Sequence, residues 1–520
     1  AQDGMALEEV IVTAQKRSAS LQDTPISVAA FGQEELVAMG VNDIGHIAQY
    51  TANLSIDRQP SSLDNVGFSI RGVGTGETSL LNENTVGMYV DGVYIARSTG
   101  SVFDIVDLER IEVLRGPQGT LYGRNTIGGA INVISEKPLD EFGVKQIFTG
   151  GSRGLFRSKT TVDTGKLGDM FSAKFAYNYG EHDGLVENSV HGNELGANDS
   201  TAYRIALRLT PTDNFTADYT YDNSERQSNA ALSQIVATRP PMNQLGGAIT
   251  NQATAAASPD RLGSLSMPNA PDEDAYSDVE MHTLTLEWAI NDSMSVKYIG
   301  AKREWDSGTT GTDFGGWQSD GATVLQDATG PFIGQYVPEG EYVSMFHASR
   351  VSDNEQTTHE FQLLGDAVDE KLQYTLGVYY FEEESNEDNP QTFVLPAEFA
   401  YGSQPQGLKS FLCADPTFSD PNACIGKDAV LSAPIFQYGS DNESTAFYGQ
   451  VTYSFTDALD ITGGIRYTED KKKAYLRQSR IIADDGVTLP VNTAEDEWDN
   501  TSGSLTANYS WNEDIMTYAT

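Results

Sequence analysis

From about residue 140 onward the chain repeats one unit, a run of roughly ten residues that alternates apolar with polar and ends in a turn. In "FSAKFAYNY" Phe171, Ala173, Phe175, Tyr177 and Tyr179 share one face, against Ser172, Lys174 and Asn178. "YRIALRL" sets Tyr203, Ile205, Leu207 and Leu209 against Arg204 and Arg208, and "FTADYTY" sets Phe215, Ala217, Tyr219 and Tyr221 against Thr216, Asp218 and Thr220. "LTLEWAI", "LDITGGIRY" and "LTANYSW" repeat the arrangement further on. Period 2 is the side-chain repeat of a β-strand, and about 13 such segments follow residue 140. The linkers between them alternate in length. Those at 211–214, 291–293, 366–371, 456–458 and 512–514 are short, whereas those near 227–277, 307–355, 385–441 and 475–497 are long, polar and rich in Gly, Pro, Asn and Asp. The pattern predicts an up-and-down antiparallel meander with two unlike ends.

A face that stays apolar through every strand, with aromatics near strand ends, is the signature of a transmembrane β-barrel whose polar face lines a lumen. A soluble sandwich or barrel is the competing reading. The mean hydropathy of −0.37, taken alone, describes a soluble protein, and no window approaches the ~18 apolar residues of a membrane helix. The strand pattern outweighs both, because a barrel wall is only half apolar. The net charge of −41, from 74 acidic and 33 basic residues, disfavours nucleic acid as a partner.

The first 137 residues follow another grammar. "TPISVAAFGQEELVAMGVNDIGHIAQYTANLSI" mixes a short strand with helical stretches, and in "TVGMYVDGVYI" Asp91-Gly92 between two β-runs signals a two-residue hairpin. The expectation is a compact α+β domain ahead of the barrel. "RGVGTGE" carries Gly72, Gly74 and Gly76, but a dinucleotide fingerprint needs its third glycine where Glu77 stands, and "GPQGTLYGR" lacks the Gly-Lys-Ser/Thr ending of a phosphate loop. Six scattered histidines, with no HExxH and no G-x-S-x-G, offer neither a metal set nor a catalytic triad. No catalytic residue and no cofactor is expected.

Four stretches in order, "EEVIVTA" (8–14), "SIRGVG" (69–74), "VGMYVDGVYI" (86–95) and "DLERIEVLRGPQGTLYGRNTIGGAINVI" (107–134), make the N-terminal part resemble the plug domain of TonB-dependent outer-membrane receptors. The resemblance implies an α+β plug domain inside an antiparallel transmembrane β-barrel of about 22 strands. It divides the chain into a flexible segment with a TonB box (1–17), a plug (18–137) and a barrel (138–520). It implies an active importer in the outer membrane of a Gram-negative bacterium, with periplasmic TonB, ExbB and ExbD, membrane lipid and lipopolysaccharide, and a small ligand such as a ferric chelate as partners. Ferric siderophore is the expected cargo; cobalamin, haem and glycans stay open, as does a passive porin or adhesin. Iron would arrive already chelated, so no protein metal ligands are expected.

"EEVIVTA" resembles the TonB box: Glu8, Glu9, Val10, Ile11, Val12, Thr13 and Ala14 would bind TonB by adding a strand to the partner's sheet edge. Its β-prone core has no hairpin partner evident nearby, and an edge strand of the plug sheet is the alternative. Arg71 and Arg115 match plug arginines that in the family pair with carboxylates on the barrel wall; a purely structural ion pair is the equal alternative. Ligand contacts are expected near Arg58 and Gln59 on the plug, and at Trp305, Trp317 and Tyr336, read as loop aromatics able to stack on a chelate or a sugar. The same aromatics could instead cap one another.

The pattern stops in mid-strand at "IMTYAT", and about 13 strands fall short of a closed family barrel. The expectation is an incomplete sequence, with a smaller closed barrel as the alternative. Cys413 and Cys424 lie in one long linker that the resemblance places outside the cell, where a disulfide is expected. Closing that ring would contribute roughly 3 kcal/mol to loop order. Non-reducing peptide mapping should recover Cys413 and Cys424 in one linked pair; two free thiols would overturn the assignment.

Overall fold

The computed structural model describes residues 11–41, 44–58, 66–75, 79–97, 107–189, 192–229, 234, 236, 258–260, 262–265, 275–309, 316–318, 324–327, 335–336, 342–344, 346–369, 371–395, 429–432, 435–479, 491–512 and 515–520. Among these, residues 58, 265, 316–347, 392–395, 429–435 and 478–479 are described by their backbone alone. The expected disulfide at Cys413 and Cys424 lies outside the described residues, as do Glu8, Glu9, Val10 and Gln59.

The N-terminal segment is folded. β1 (Ile11–Val12) pairs antiparallel with β2 (Ala19–Ser20), Ile11 opposite Ser20 and Val12 opposite Ala19. This corrects the expectation that no local partner exists. Lys16 takes a positive φ of 59° and its N–H donates to Thr13 O at 2.9 Å, so the polar stretch after β1 turns back on itself.

Next come β3 (Val28–Gly32), α1 (Gln33–Ala38), a 3-10 turn (Ile44–Gln49), β4 (Leu54–Arg58), β5 (Val66–Ile70), β6 (Val73–Gly74), β7 (Val86–Val90), β8 (Val93–Ile95), β9 (Leu108–Arg115) and β10 (Gly129–Ser135). Five strands form the central sheet in the order β3-β9-β10-β7-β8, antiparallel except for the β10–β7 pair. Asp91 and Gly92 both have positive φ, 49° and 88°, as the two-residue β7–β8 turn requires. Phe31, Leu36, Ile44, Ile47, Val66, Phe68, Val90, Ile111 and Ile131 form the core beside this sheet, which Met281, Ile299 and Ala301 of the wall complete.

Among the described residues the main ladder of the wall is a meander of 13 strands, from Phe142–Gly150 to Ile515–Ala519, each antiparallel to the next. Short turns at one end alternate with long linkers at the other, as the sequence predicts. The strand Arg350–Ala367 shows why the faces differ. Ser352, Asn354, Gln356, Thr358, Glu360 and Gln362 are buried, with Gln356 hydrogen-bonded to Tyr94 and Ala96 of the plug, while Val351 and Phe361 are exposed. Polar inside and apolar outside is the reverse of a soluble sandwich. No helix among the described residues is long and apolar enough to cross a membrane, which says nothing of strands.

Several strands outrun their predicted ends. Leu372–Leu395 is 24 residues long and runs through the acidic stretch Glu382–Asn389, and Arg350–Ala367, Ile435–Thr456 and Val491–Asn512 also start inside predicted linkers. Beyond the apolar band both faces of a strand are polar, so the alternation fades while the ladder continues. Among the described residues, the strands Phe142–Gly150 and Ile515–Ala519 are not paired with each other.

Gly129 in β10 has φ +151°, and a Cβ there would lie 2.2 Å from Leu114 O across the β9–β10 ladder. Gly129→Ala should therefore destabilise the plug by about 1–3 kcal/mol in denaturant titration. Gly143→Ala, where no atom lies within 4 Å of the added carbon, should stay within about 0.5 kcal/mol of wild type.

Candidate functional site

The segment 11–17 is built into the interface between plug and wall. Val12 and Ala14 are buried with Leu114, Leu121 and Tyr122 of the plug and Phe381 and Tyr448 of the wall. Thr13 closes a ring of hydrogen bonds on the plug sheet. Its N–H and Oγ1 donate to Glu112 Oε1 at 2.8 and 3.2 Å, and Tyr122 Oη donates to its carbonyl at 3.5 Å. Asn132 Nδ2 donates to both Glu112 and Tyr122 Oη, at 3.3 and 2.8 Å. Lys16 then pairs with Glu360 of the wall, which also accepts from Tyr448 Oη at 2.6 Å. Arg17 Nη1 lies 3.1 Å from Asp366, and its Nη2 donates to Gly365 O and Tyr374 O at 2.7 and 2.8 Å. Asp366 adjoins a short turn, so the segment sits toward the short-turn end.

Four further groups of charges fasten plug to wall. Arg97 meets Glu383 with two parallel bonds of 2.6 and 2.7 Å, both side chains buried, and Asn354 and Asn442 donate to the same carboxylate at 2.9 and 2.8 Å. Arg204 reaches Asp91 at 2.5 Å and Asp222 at 3.0 Å. Lys174 gathers Asp107, Glu136 and Asp163 at 2.9, 2.6 and 3.5 Å. Glu83 receives Arg124 at 2.9 Å and Lys472 at 3.1 Å. Burial disfavours the charge of Glu83, but Arg124, Arg97 and Lys472 outweigh it and hold the carboxyl below the usual range. Burial of Asp91 is likewise overcome, by Arg204, Lys137 and the Ser135 N–H. The stability these lowered carboxyls contribute is complete above about pH 5 and is lost as pH falls toward their folded values.

The residues expected at this interface are placed differently. Among the described residues neither Arg71 nor Arg115 makes an ion pair; both line a cavity of about 260 Å³ with Gln450, Thr462, Ser504 and Tyr518 of the wall. Arg115 Nε is buried without a hydrogen-bond partner. Trp305 is not a loop residue. It lies in the wall strand Met294–Thr309, 1% exposed, packed with Leu80 of the plug, and its indole N–H donates to Ser277 Oγ at 3.1 Å. Arg58 ends β4 opposite Val66; Trp317 and Tyr336 lie in short strands, Gly316–Gln318 and Gln335–Tyr336, within the long linker. The sequence reading missed Lys16, Arg17, Arg97 and Glu112. Glu112 did carry a signal: an acid between Ile111 and Val113 in an apolar strand is buried and needs donors. Among the described residues no three His, Cys, Asp or Glu side chains form a metal-binding group.

A plug sheet seated by ion pairs on the polar face of an apolar-backed β-wall defines the class of plugged outer-membrane barrels. Residues 20–130 match the TonB-dependent Receptor Plug Domain, and residues 202–520 match the TonB dependent receptor-like, beta-barrel family. The chain belongs to the TonB-dependent receptors, a family of outer-membrane receptors and transporters. The pesticin receptor of Yersinia pestis is 28% identical over 209 residues, 39% of this chain and 30% of that protein. The iron-regulated outer membrane virulence protein of Vibrio cholerae is 26% identical over 246 residues, 45% of this chain and 36% of that protein. In fold, the chain resembles the ferric yersiniabactin uptake receptor FyuA from Yersinia pestis, with a TM-score of 0.70 at 19% identity. That likeness covers 95% of this chain and 64% of FyuA, so the chain spans less than two thirds of these relatives' length.

Arg97→Ala should destabilise the seated plug by about 3–5 kcal/mol, because Glu383 is left buried without a cation. Denaturant titration of the purified protein checks this, and Glu383→Gln added to Arg97→Ala should recover part of the loss.

Proposed function

We propose that this chain is the plug (18–137) and part of the wall (138–520) of an energy-coupled importer in the outer membrane, with residues 8–14 as the segment that TonB captures. One observation carries the reading: at the short-turn end, a β-prone segment is held between plug and wall by polar bonds rather than built into the plug's central sheet. Strand addition by TonB, powered through ExbB and ExbD, would apply force directly to the plug. A ferric siderophore is the cargo class favoured by the iron- and siderophore-related names among the relatives. Sugar-phosphate headgroups of lipopolysaccharide and acyl chains would surround the wall. The long-linker end, which carries Trp317 and Tyr336, faces outward and receives the cargo, with Arg58 and Gln59 as the plug's contribution. A passive pore would have no use for the held segment.

Val12→Pro removes a backbone donor and fixes φ in the proposed TonB strand. In cells carrying the intact receptor, equilibrium binding of radiolabelled ferric catecholate, hydroxamate and phenolate chelates should match wild type. Energised uptake of whichever chelate binds should fall to the level of cells lacking TonB. Uptake at the wild-type rate, with normal receptor abundance, would refute the coupling assignment.

A further inference from the structure

Arg466 is a buried charge that the ion pairs between plug and wall leave out. It lies in the wall strand Leu459–Ser479, on the face toward the plug, and is 3% exposed. Two wall tyrosines lie against its guanidinium, Tyr379 and Tyr448, with ring centroids at 5.7 and 5.4 Å. Gly123 of the plug turn meets the same group. It has φ +87°, and a Cβ there would lie 2.6 Å from the guanidinium carbon, so only glycine lets the plug backbone come this close.

A guanidinium carries five N–H donors and a charge that it cannot shed. Among the described residues Arg466 has one hydrogen bond, from Nε to Thr468 Oγ1 at 3.1 Å, and no ion pair. The acids that could serve it are committed elsewhere. Glu360 pairs with Lys16 and accepts from Tyr448 Oη, and Asp470 lies 3.4 Å from Arg124. Contact with the rings favours a cation over their faces but offers no acceptor to the N–H groups of Nη1 and Nη2.

A second unsatisfied group belongs to one of those rings. Tyr379 Oη is buried and has no hydrogen-bond partner. Water can accept from a hydroxyl but brings no charge, and a buried cation without a counter-charge is costly. One uncompensated positive charge calls for one negative charge, and two rings and the plug turn enclose space for few atoms.

We propose that Arg466 and Tyr379 hold a small inorganic monoanion of the size of chloride between the wall and the plug turn at Gly123. The anion accepts from Nη1 or Nη2 and from Tyr379 Oη, and its charge completes the seating of the plug where no carboxylate does. The inference stands apart from the importer reading, because it concerns how the plug is held and not what crosses the wall.

Two measurements on the purified intact receptor in detergent test this together. Crystals grown in bromide, which scatters anomalously, should show one bromide within hydrogen-bond reach of Arg466 and Tyr379 Oη. In solution, amides of residues 121–126 should exchange about 10-fold more slowly in saturating chloride than in gluconate of equal ionic strength and pH. Arg466→Met removes the charge and keeps the length, so chloride should no longer slow exchange. Tyr379→Phe keeps the charge and removes one donor, so about 10-fold more chloride should be needed; it reads the same site should Arg466→Met fail to assemble. No bromide at Arg466, or a carboxylate of the intact chain in its place, overturns the proposal. Bromide without a chloride effect on exchange is an adventitious ion only and overturns it as well, as does a chloride effect that Tyr379→Phe leaves undiminished.

Discussion

A β-wall in hydrocarbon must keep every backbone group paired within the sheet and turn apolar side chains outward. Because side chains alternate, the same rule hands the inner face to polar residues. The strand Arg350–Ala367 carries the consequence in one row, Ser352 through Gln362 inside and Phe361 outside. A domain seated in such a lumen cannot be held mainly by burial of apolar surface. The plug keeps its own core, takes Met281, Ile299 and Ala301 of the wall into it, meets Phe381, Tyr448 and Trp305 in smaller apolar contacts, and is fastened by charge elsewhere. Arg97–Glu383, Arg204–Asp91, Lys174 with three carboxylates and the Glu83 cluster all bridge the two parts. Such pairs add little net stability over an apolar contact, but breaking one leaves a buried charge, so they specify a single seating.

The N-terminal segment obeys the same logic on a smaller scale. Val12 and Ala14 find an apolar slot, but the backbone around them is held by Glu112, Tyr122 and the return strand β2. A partner that adds a strand at Ile11–Val12 competes with contacts already made. In the importer reading this sets a threshold: capture of the segment and release from the plug are one exchange of hydrogen bonds, close to balanced in energy, and small changes in the plug decide its direction.

Much of the architecture was legible in the linear pattern. The meander, the short turns, the α+β domain and the Asp91-Gly92 hairpin all follow from local rules, because period, turn chemistry and linker length are properties of neighbouring residues. The pattern failed where its physical cause ended. Strand Leu372–Leu395 runs on through Glu382–Asn389, where both faces are polar, so no apolar row marks it as β. Trp305 looked like a loop aromatic for the same reason, its strand neighbours being Glu304 and Asp306.

The chain by itself therefore determined the strands, their order and the family, all of which rest on alternation and on contiguous motifs. Which charges meet was decided only by the tertiary structure. Lys16 and Glu360, or Arg97 and Glu383, are hundreds of positions apart, and nothing local distinguishes these acids from their neighbours in acidic runs. Arg71 and Arg115, singled out by motif, line a cavity instead, while Glu112 draws Thr13 into a ring of hydrogen bonds. Pairing of this kind depends on register around a curved wall and on the height at which the plug sits, and both are set by the sum of all contacts rather than by any stretch of sequence.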